Sequence, residues 1–355
     1  MTEGQKIKVG VLGATGMVGQ RFVQLLADHP WFELTALGAS ERSAGKPYVK
    51  AAVNWRQTSE IPSNIGSIMV SPCEPQHFDG CRLVFSGLDS SVAGEVETAF
   101  CKAGMAVFSN SRNHRYDQYV PLVVPTVNDD HLDIIPAQQK ANGLTTGFIV
   151  TNANCSSTGL TVPLKVLDDA FGLEACMVTT MQAISGAGFP GVPSIDIIDN
   201  VVPYISGEEE KLEIEPKKIL GSFDQNGFTD KDFKISAHCN RVAVSDGHLE
   251  CLSVKLKGSP TTEEVITAME SYTCEAQRMG LPSAPKQCIV YNEKPDRPQP
   301  RLDRDAGKGY TVTVGRVRPC SLFDFKLTIL SHNTILGAAG GALMNAELAK
   351  YKGLL

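Results

Sequence analysis

Apolar residues along this chain fall into short continuous runs separated by stretches of helical spacing, which predicts strands and helices in alternation. Ile7–Leu12 reads as an apolar strand and opens into Gly13-Ala-Thr-Gly16-Met-Val-Gly19. A helical spacing of Phe22, Val23, Leu25 and Leu26 follows, then a second strand over residues 33–39. Strand, glycine turn, helix and strand in that order make a βαβ unit, whose glycines let the backbone turn tightly and approach a pyrophosphate at a helix N-terminus. Another strand, 82–88, ends in small residues at Ser86 and Gly87, suited to passing under a cofactor. An apolar strand at 147–151 runs into Thr-Asn-Ala-Asn-Cys-Ser-Ser-Thr-Gly-Leu (151–160), and an amphipathic helix is predicted from there to about Phe171. Beyond it, apolar strands at 175–184, 248–257, 310–318 and 323–330 predict a single sheet with helices on one face. The expected architecture is α/β: a Rossmann-type doubly wound parallel sheet formed by residues 1–153 and completed by 333–355, plus an α+β domain over 154–332.

Length and composition agree with two separate cores. The 355 residues are 42% hydrophobic and 20% charged, and no apolar run approaches a membrane span. The first residues lack the apolar stretch of a signal peptide, and ten cysteines without regular spacing read as reduced thiols, so a cytoplasmic protein is expected. A net charge of −6 argues against non-specific nucleic-acid binding, so anionic ligands must be held by a few local cations. The Pro- and charge-rich stretch 292–308 predicts a long solvated loop.

Candidate chemistry concentrates at a few positions. Gly13, Thr15, Gly16, Met17 and Val18 form the turn that would cradle a dinucleotide. Ser40, Arg42 and Ser43 at the end of the second strand suit a 2′-phosphate and hence NADP, while Glu41 would serve NAD if it pointed inward. Cys155 stands at a predicted helix start, where the dipole favours thiolate and lowers the thiol pKa; the same position suits a buried structural thiol. His248 lies in a turn-forming Asp-Gly-His segment and suits either a turn or acid/base work. Arg241, seven residues earlier, suits bidentate capture of a carboxylate or a surface ion pair. Glu208 and Lys211 are three apart on a predicted helix and share a face, although Ser206–Glu209 also reads as a capping box. Pro216 predicts a bend. His238 and Cys239 are adjacent, but no metal-ligand spacing accompanies them, and no metal is expected.

Gly-Ala-Thr-Gly-Met-Val-Gly and Asn-Cys-Ser-Ser-Thr together resemble the aspartate-semialdehyde dehydrogenase family. The likeness continues through Val-Pro-Leu-Val-Val-Pro (120–125), Gln-Ala-Ile-Ser-Gly-Ala-Gly (182–188), Gly-Glu-Glu-Glu-Lys (207–211), Cys-Asn-Arg-Val-Ala-Val-Ser-Asp-Gly-His (239–248) and Asn-Thr-Ile-Leu-Gly-Ala-Ala-Gly-Gly (333–341). The last three look like the fungal and archaeal branch. The resemblance implies a glyceraldehyde-3-phosphate-dehydrogenase-like C-terminal domain that dimerises, giving a homodimer or homotetramer. It implies an NADP-dependent oxidoreductase that interconverts L-aspartyl 4-phosphate and L-aspartate 4-semialdehyde, in threonine, methionine and lysine synthesis. Cys155 would be the nucleophile, with an oxyanion site made by the amides of its helix start and the Asn154 side chain. His248 would be the acid/base, and Gln182 would orient the substrate. Arg241 would take the substrate carboxylate, Glu208 its amine, and Lys211 the phosphate. Arg115 would be a second phosphate contact, with Arg112 the alternative and Asn113 assisting. Ser185, Gly186 and Asn333 would lie near the nicotinamide. Other acyl reductases of the same architecture, such as malonyl-CoA reductase, and a non-catalytic NADP-sensing protein are the alternatives.

Overall fold

The computed structural model describes residues 5–355, so the first four residues of the expected N-terminal domain lie outside the described residues. Seven strands form the first sheet: β1 (Ile7–Leu12), β2 (Phe32–Gly38), β3 (Val70–Ser71), β4 (Leu83–Ser86), β5 (Ala106–Ser109), β6 (Leu122–Val123) and β7 (Phe148–Asn152). Their order is β3-β2-β1-β4-β5-β7-β6, and every pairing is parallel. β4, β5 and β7 are buried at every position, as parallel strands covered by helices on both faces must be. The order doubles back on either side of β1, which opens a crevice at the carboxyl ends of the strands.

After a two-stranded ribbon, β9 (Ser222–Asp224) with β10 (Gly227–Thr229), the remaining strands join β8 (Leu173–Gln182) in a second sheet. These are β11 (Lys234–Arg241), β12 (His248–Leu256), β13 (Ile289–Asn292), β14 (Val312–Pro319) and β15 (Phe325–Ser331), in the order β11-β8-β12-β15-β14-β13. The sheet is mixed, parallel at β11–β8 and β13–β14 and antiparallel between. β12 alternates buried and open positions along its length, the signature of a strand with one covered face. The cover is the helix Cys155–Phe171. β11 and β13 were not among the four strands expected for this sheet.

Gly13 adopts a φ of 72°, and a Cβ on Gly19 would lie 2.1 Å from the Gly13 carbonyl oxygen, so the turn demands glycine at both places. The helix Gly340–Tyr351 returns to the first sheet, where Asn345 Nδ2 donates to the carbonyl of Val123 at 3.2 Å and to Asn152 Oδ1 at 2.9 Å. Pro216 does not end its helix, which runs Glu208–Ile219, although the proline removes one backbone donor in its last turn. The stretch 292–308 is not a free excursion. Arg304 Nη1 donates to Ser245 Oγ at 3.0 Å and to the carbonyl of Asp246 at 3.3 Å, strapping the turn that precedes His248. Among the described residues, no helix is long and apolar enough to cross a membrane.

Candidate active site

The site is a row across the second sheet facing the start of the Cys155 helix. Arg241 closes β11 in register with Gln182 at the end of β8, and His248 opens β12 in register with Ser331. β11 stops at Arg241, so the alternation expected through Val242 and Val244 is not strand, and the following turn brings Arg241 and His248 to the same face. Cys155 is the first residue of its helix, one position earlier than the run of hydroxyl residues suggests. Asn154 is the cap, its Oδ1 accepting from the amides of Ser156 at 3.0 Å and Ser157 at 3.2 Å.

Cys155 Sγ lies 3.1 Å from His248 Nε2. The amide of Ala183 donates to His248 Nδ1 at 3.1 Å, so the neutral ring carries its proton on Nε2, pointing at the sulfur. Gly186 leaves room above this pair, since a Cβ there would stand 2.9 Å from Arg241 Nη1 and 3.3 Å from His248 Nε2. On the other side, a Cβ on Gly337 would meet the Cys155 Cβ at 2.9 Å, which explains the small-residue tract there.

The electrostatics differ from the expectation of a thiol lowered by the helix dipole. Burial, reinforced by the Glu208 carboxylate, pushes the Cys155 thiol up to about 12, against the opposing pull of Arg241, Arg115 and Lys211. Burial and the Arg241 charge press His248 down to about 3. The amides of Ser156 and Ser157 are spent on Asn154, and burial favours the uncharged forms of both the thiol and the imidazole. The Cys155 amide itself heads the helix without a protein acceptor among the described residues, whereas the Asn154 Nδ2 group, expected to help an oxyanion, donates to both Glu208 oxygens at 3.1 and 2.9 Å.

Around this pair stand the charged candidates. Arg241 is buried, and its Nη1 donates to the carbonyl of Ala183 at 2.7 Å. Lys211 Nζ and Glu208 Oε1 pair at 2.7 Å; no Ser206 cap forms, because Gly207 is the N-cap. Gln182 is buried, its amide 3.3 Å from Thr180 Oγ1. Arg115 is buried and bound to Glu215 Oε1 at 2.7 Å. Arg112 is exposed, on the side of Asp89, and the exposed Asn113 ties its amide to the carbonyl of Ser90 at 2.9 Å. His238 is exposed and Cys239 buried on opposite faces of β11.

On the cofactor side, the helix Met17–Leu26 starts at Gly16 with no side-chain cap and no acid in its first turn, which leaves its amides, including those of Met17 and Val18, for an anion. Thr15 lies in the turn before it. Ser40 and Arg42 are exposed and Ser43 half-buried at the end of β2, which suits a phosphate; Glu41 is exposed beside them. The Ser86 hydroxyl turns inward to Glu97 Oε1 at 2.6 Å, so this segment can offer a cofactor only the backbone of Ser86 and Gly87. Asn333 joins the two sides: its Nδ2 donates to Ser185 Oγ at 2.8 Å and its Oδ1 accepts from the Gly247 amide at 2.8 Å.

Two acidic residues escaped the reading of the sequence. Fully buried Glu215 accepts from the Asn154 amide at 2.6 Å and holds Arg115, tying the loop before Cys155 to a cation; its spacing of seven from Glu208 and four from Lys211 was the available signal. Glu250, two residues after His248 on the same face, is fully buried with neither oxygen hydrogen-bonded, and burial holds its carboxyl well above the usual range. An acid at an apolar-face position of an alternating strand was its signal.

Two family models cover most of the chain: "Semialdehyde dehydrogenase, NAD binding domain" over residues 8–135 and "Semialdehyde dehydrogenase, dimerisation domain" over 164–336. Aspartate-semialdehyde dehydrogenase of Aspergillus fumigatus is 54% identical, the match covering 99% of each chain. The crystal structure of the Candida albicans enzyme with NADP superposes with a TM-score of 0.92 at 50% identity, covering 99% of this chain and 100% of that one. A Vibrio cholerae aspartate semialdehyde dehydrogenase II complexed with ASA gives 0.76 at 26% identity and 98% coverage of both. These proteins match from end to end at half or more of their positions in the fungal cases, and both halves of the fold match semialdehyde dehydrogenase domains, so the chain belongs to the aspartate-semialdehyde dehydrogenase family.

Proposed function

We propose that the chain catalyses the NADP-dependent, reversible reductive dephosphorylation of L-aspartyl 4-phosphate to L-aspartate 4-semialdehyde through a thioester on Cys155. The observation that carries this reading is the 3.1 Å approach of Cys155 Sγ to His248 Nε2 beneath Arg241, Glu208 and Lys211. In the reductive direction the sulfur attacks the carbonyl carbon, the carbon–oxygen bond to the phosphate breaks and the thiol proton leaves with the phosphate, while the Nε2–H of His248 donates to the sulfur as negative charge develops on it. The free Cys155 amide is placed to donate to the carbonyl oxygen as it becomes an oxyanion. The planar guanidinium of Arg241 takes the substrate carboxylate, Glu208 the amine and Lys211 the phosphate, with Gln182 orienting the reacting group. Arg115, held by Glu215, extends the positive wall in preference to the outlying Arg112 and Asn113. When bound, NADP supplies hydride exchange with the carbonyl carbon. Gly13, Thr15, Gly16, Met17 and Val18 would hold its pyrophosphate, Ser40, Arg42 and Ser43 its 2′-phosphate. The backbone of Ser86, Gly87 and Gly186, with Ser185 and Asn333, would seat the nicotinamide. Residues 1–153 with 333–355 form the nucleotide domain in this reading, and 154–332 the catalytic domain through which copies associate. The activity serves threonine and methionine synthesis. Phosphate-dependent reduction of NADP by L-aspartate-semialdehyde is the direct assay. No reduction, or malonyl-CoA turnover of comparable efficiency, would overturn the substrate assignment.

A further inference from the structure

A second pair of sulfurs lies far from Cys155 in sequence and outside the catalytic row. Cys274 stands just after the helix Thr262–Ser271, and Cys288 immediately before β13. Both are buried, and their Sγ atoms are 3.2 Å apart. A disulfide requires about 2 Å, so closing the gap takes roughly an ångström of side-chain rotation rather than a backbone rearrangement. We propose that Cys274 and Cys288 form a reversible disulfide under peroxide, Cys274 being the attacking sulfur and Cys288 the resolving one.

The roles follow from what each sulfur touches. The single S–H of Cys288 has two acceptors within reach, Cys274 Sγ at 3.2 Å and Gln277 Oε1 at 3.0 Å, and the amide oxygen discourages a negative charge there. Cys274 accepts; besides the Cys288 thiol, the amides of Gln277 and Ala276 point at its sulfur. These donors, the Cys288 thiol first, hold the Cys274 thiol below its ordinary value against the opposing effect of burial, while the same contact and burial raise Cys288. The chemistry balances with hydrogen peroxide as the oxidant. The Cys274 thiolate attacks one peroxide oxygen, an S–O bond forms, the O–O bond breaks, and the departing hydroxide is protonated to water. Cys288 then loses its proton and attacks the sulfenic sulfur, the S–S bond forms, the S–O bond breaks and a second water leaves. Two thiols give up two electrons and two protons, and one peroxide becomes two waters.

The position gives the bond a mechanical meaning. The loop it would close carries one contact with the nucleotide-binding side of the molecule and adjoins another just before Cys274. Tyr272 Oη donates to the carbonyl of Thr126 at 2.6 Å, and Ser283 donates to Glu347 in the C-terminal helix through its amide at 3.0 Å and its hydroxyl at 2.5 Å. A cross-link between Cys274 and Cys288 would stiffen the segment that makes these contacts.

The test uses the full chain with Cys155 present. After brief treatment with hydrogen peroxide, remaining thiols are alkylated in denaturant and the peptides are mapped by mass. The expected result is joined peptides containing Cys274 and Cys288, lighter by two hydrogens and separated by dithiothreitol, with slower amide exchange across 272–288. In Cys288→Ser, dimedone should label Cys274, whereas in Cys274→Ser it should leave Cys288 unlabelled. Both cysteines free for alkylation at a peroxide dose that already oxidises the exposed Cys251 would overturn the proposal, and equal dimedone labelling would overturn the roles. Mapping of the wild-type chain needs no substitution, so a variant that fails to fold leaves the test intact.

Discussion

At the scale of single residues, the site is organised by which atoms already have partners. His248 can present Nε2–H to the sulfur because Nδ1 is taken by the Ala183 amide, and burial with the Glu208 carboxylate holds the Cys155 thiol above its ordinary value while Asn154 takes the amides of Ser156 and Ser157. Cys155→Ser should therefore abolish turnover with little change in NADP affinity, since the sulfur touches the reacting carbon and not the nucleotide cradle; calorimetric titration with NADP beside the activity assay checks both halves. Glu250 makes a second prediction. Its folded-state pKa is raised, so the stability it contributes is complete below the unfolded value near 4.5 and is lost as pH rises towards the folded value. Glu250→Gln removes that loss. Its thermal midpoint should match the wild type at roughly pH 4 and exceed it increasingly towards pH 8; a constant difference across that range would mean Glu250 is ionised in the fold.

At the scale of elements, the start of the Cys155 helix does three things with one side chain. Asn154 Oδ1 caps the helix, its Nδ2 holds Glu208, and its own amide is held by Glu215. Asn154→Ala should cost about 1 kcal/mol of stability from the lost cap and lower kcat together with it. Asn154→Asp keeps the cap acceptor but sets a carboxylate against Glu208, so it should spare more of the stability than Ala does while activity falls; chemical denaturation paired with steady-state kinetics separates the two. Retained activity in both variants would detach Glu208 from the reaction. The helix bearing Glu208, Lys211 and Glu215 runs on through Pro216 at the cost of one backbone donor.

At the scale of the whole molecule, the chemistry lies where the carboxyl edge of one sheet meets the end of another, and outlying segments decide how firmly. The stretch 292–308, which composition marks as solvated, packs through Arg304 onto the turn before His248. Arg304→Ala should loosen that turn and lower kcat several-fold while leaving NADP binding unchanged; stopped-flow binding against turnover would detect it, and an unaltered kcat would reduce the strap to surface packing. Much of this plan was legible beforehand. The alternation of apolar runs and helical spacing predicted both sheets, the glycine turn marked the start of the nucleotide-binding domain, and Asn-Cys-Ser-Ser-Thr marked a helix start at Cys155, because backbone demands at a tight turn and a helix start are written in local residue types. What remained hidden was non-local. The short edge strands β11 and β13, the inward turn of Ser86 to Glu97, and the clamp of Glu215 on Asn154 and Arg115 all depend on partners distant in the chain.

By itself, then, the order of residues determined the periodicities and the turn chemistry and offered the candidate reactive groups, since the first two arise from interactions within a few positions. The charge state of those groups was decided only by the tertiary structure. A helix start favours a thiolate, but whether burial and a neighbouring carboxylate outweigh it depends on side chains that packing brings from several strands and helices to one place.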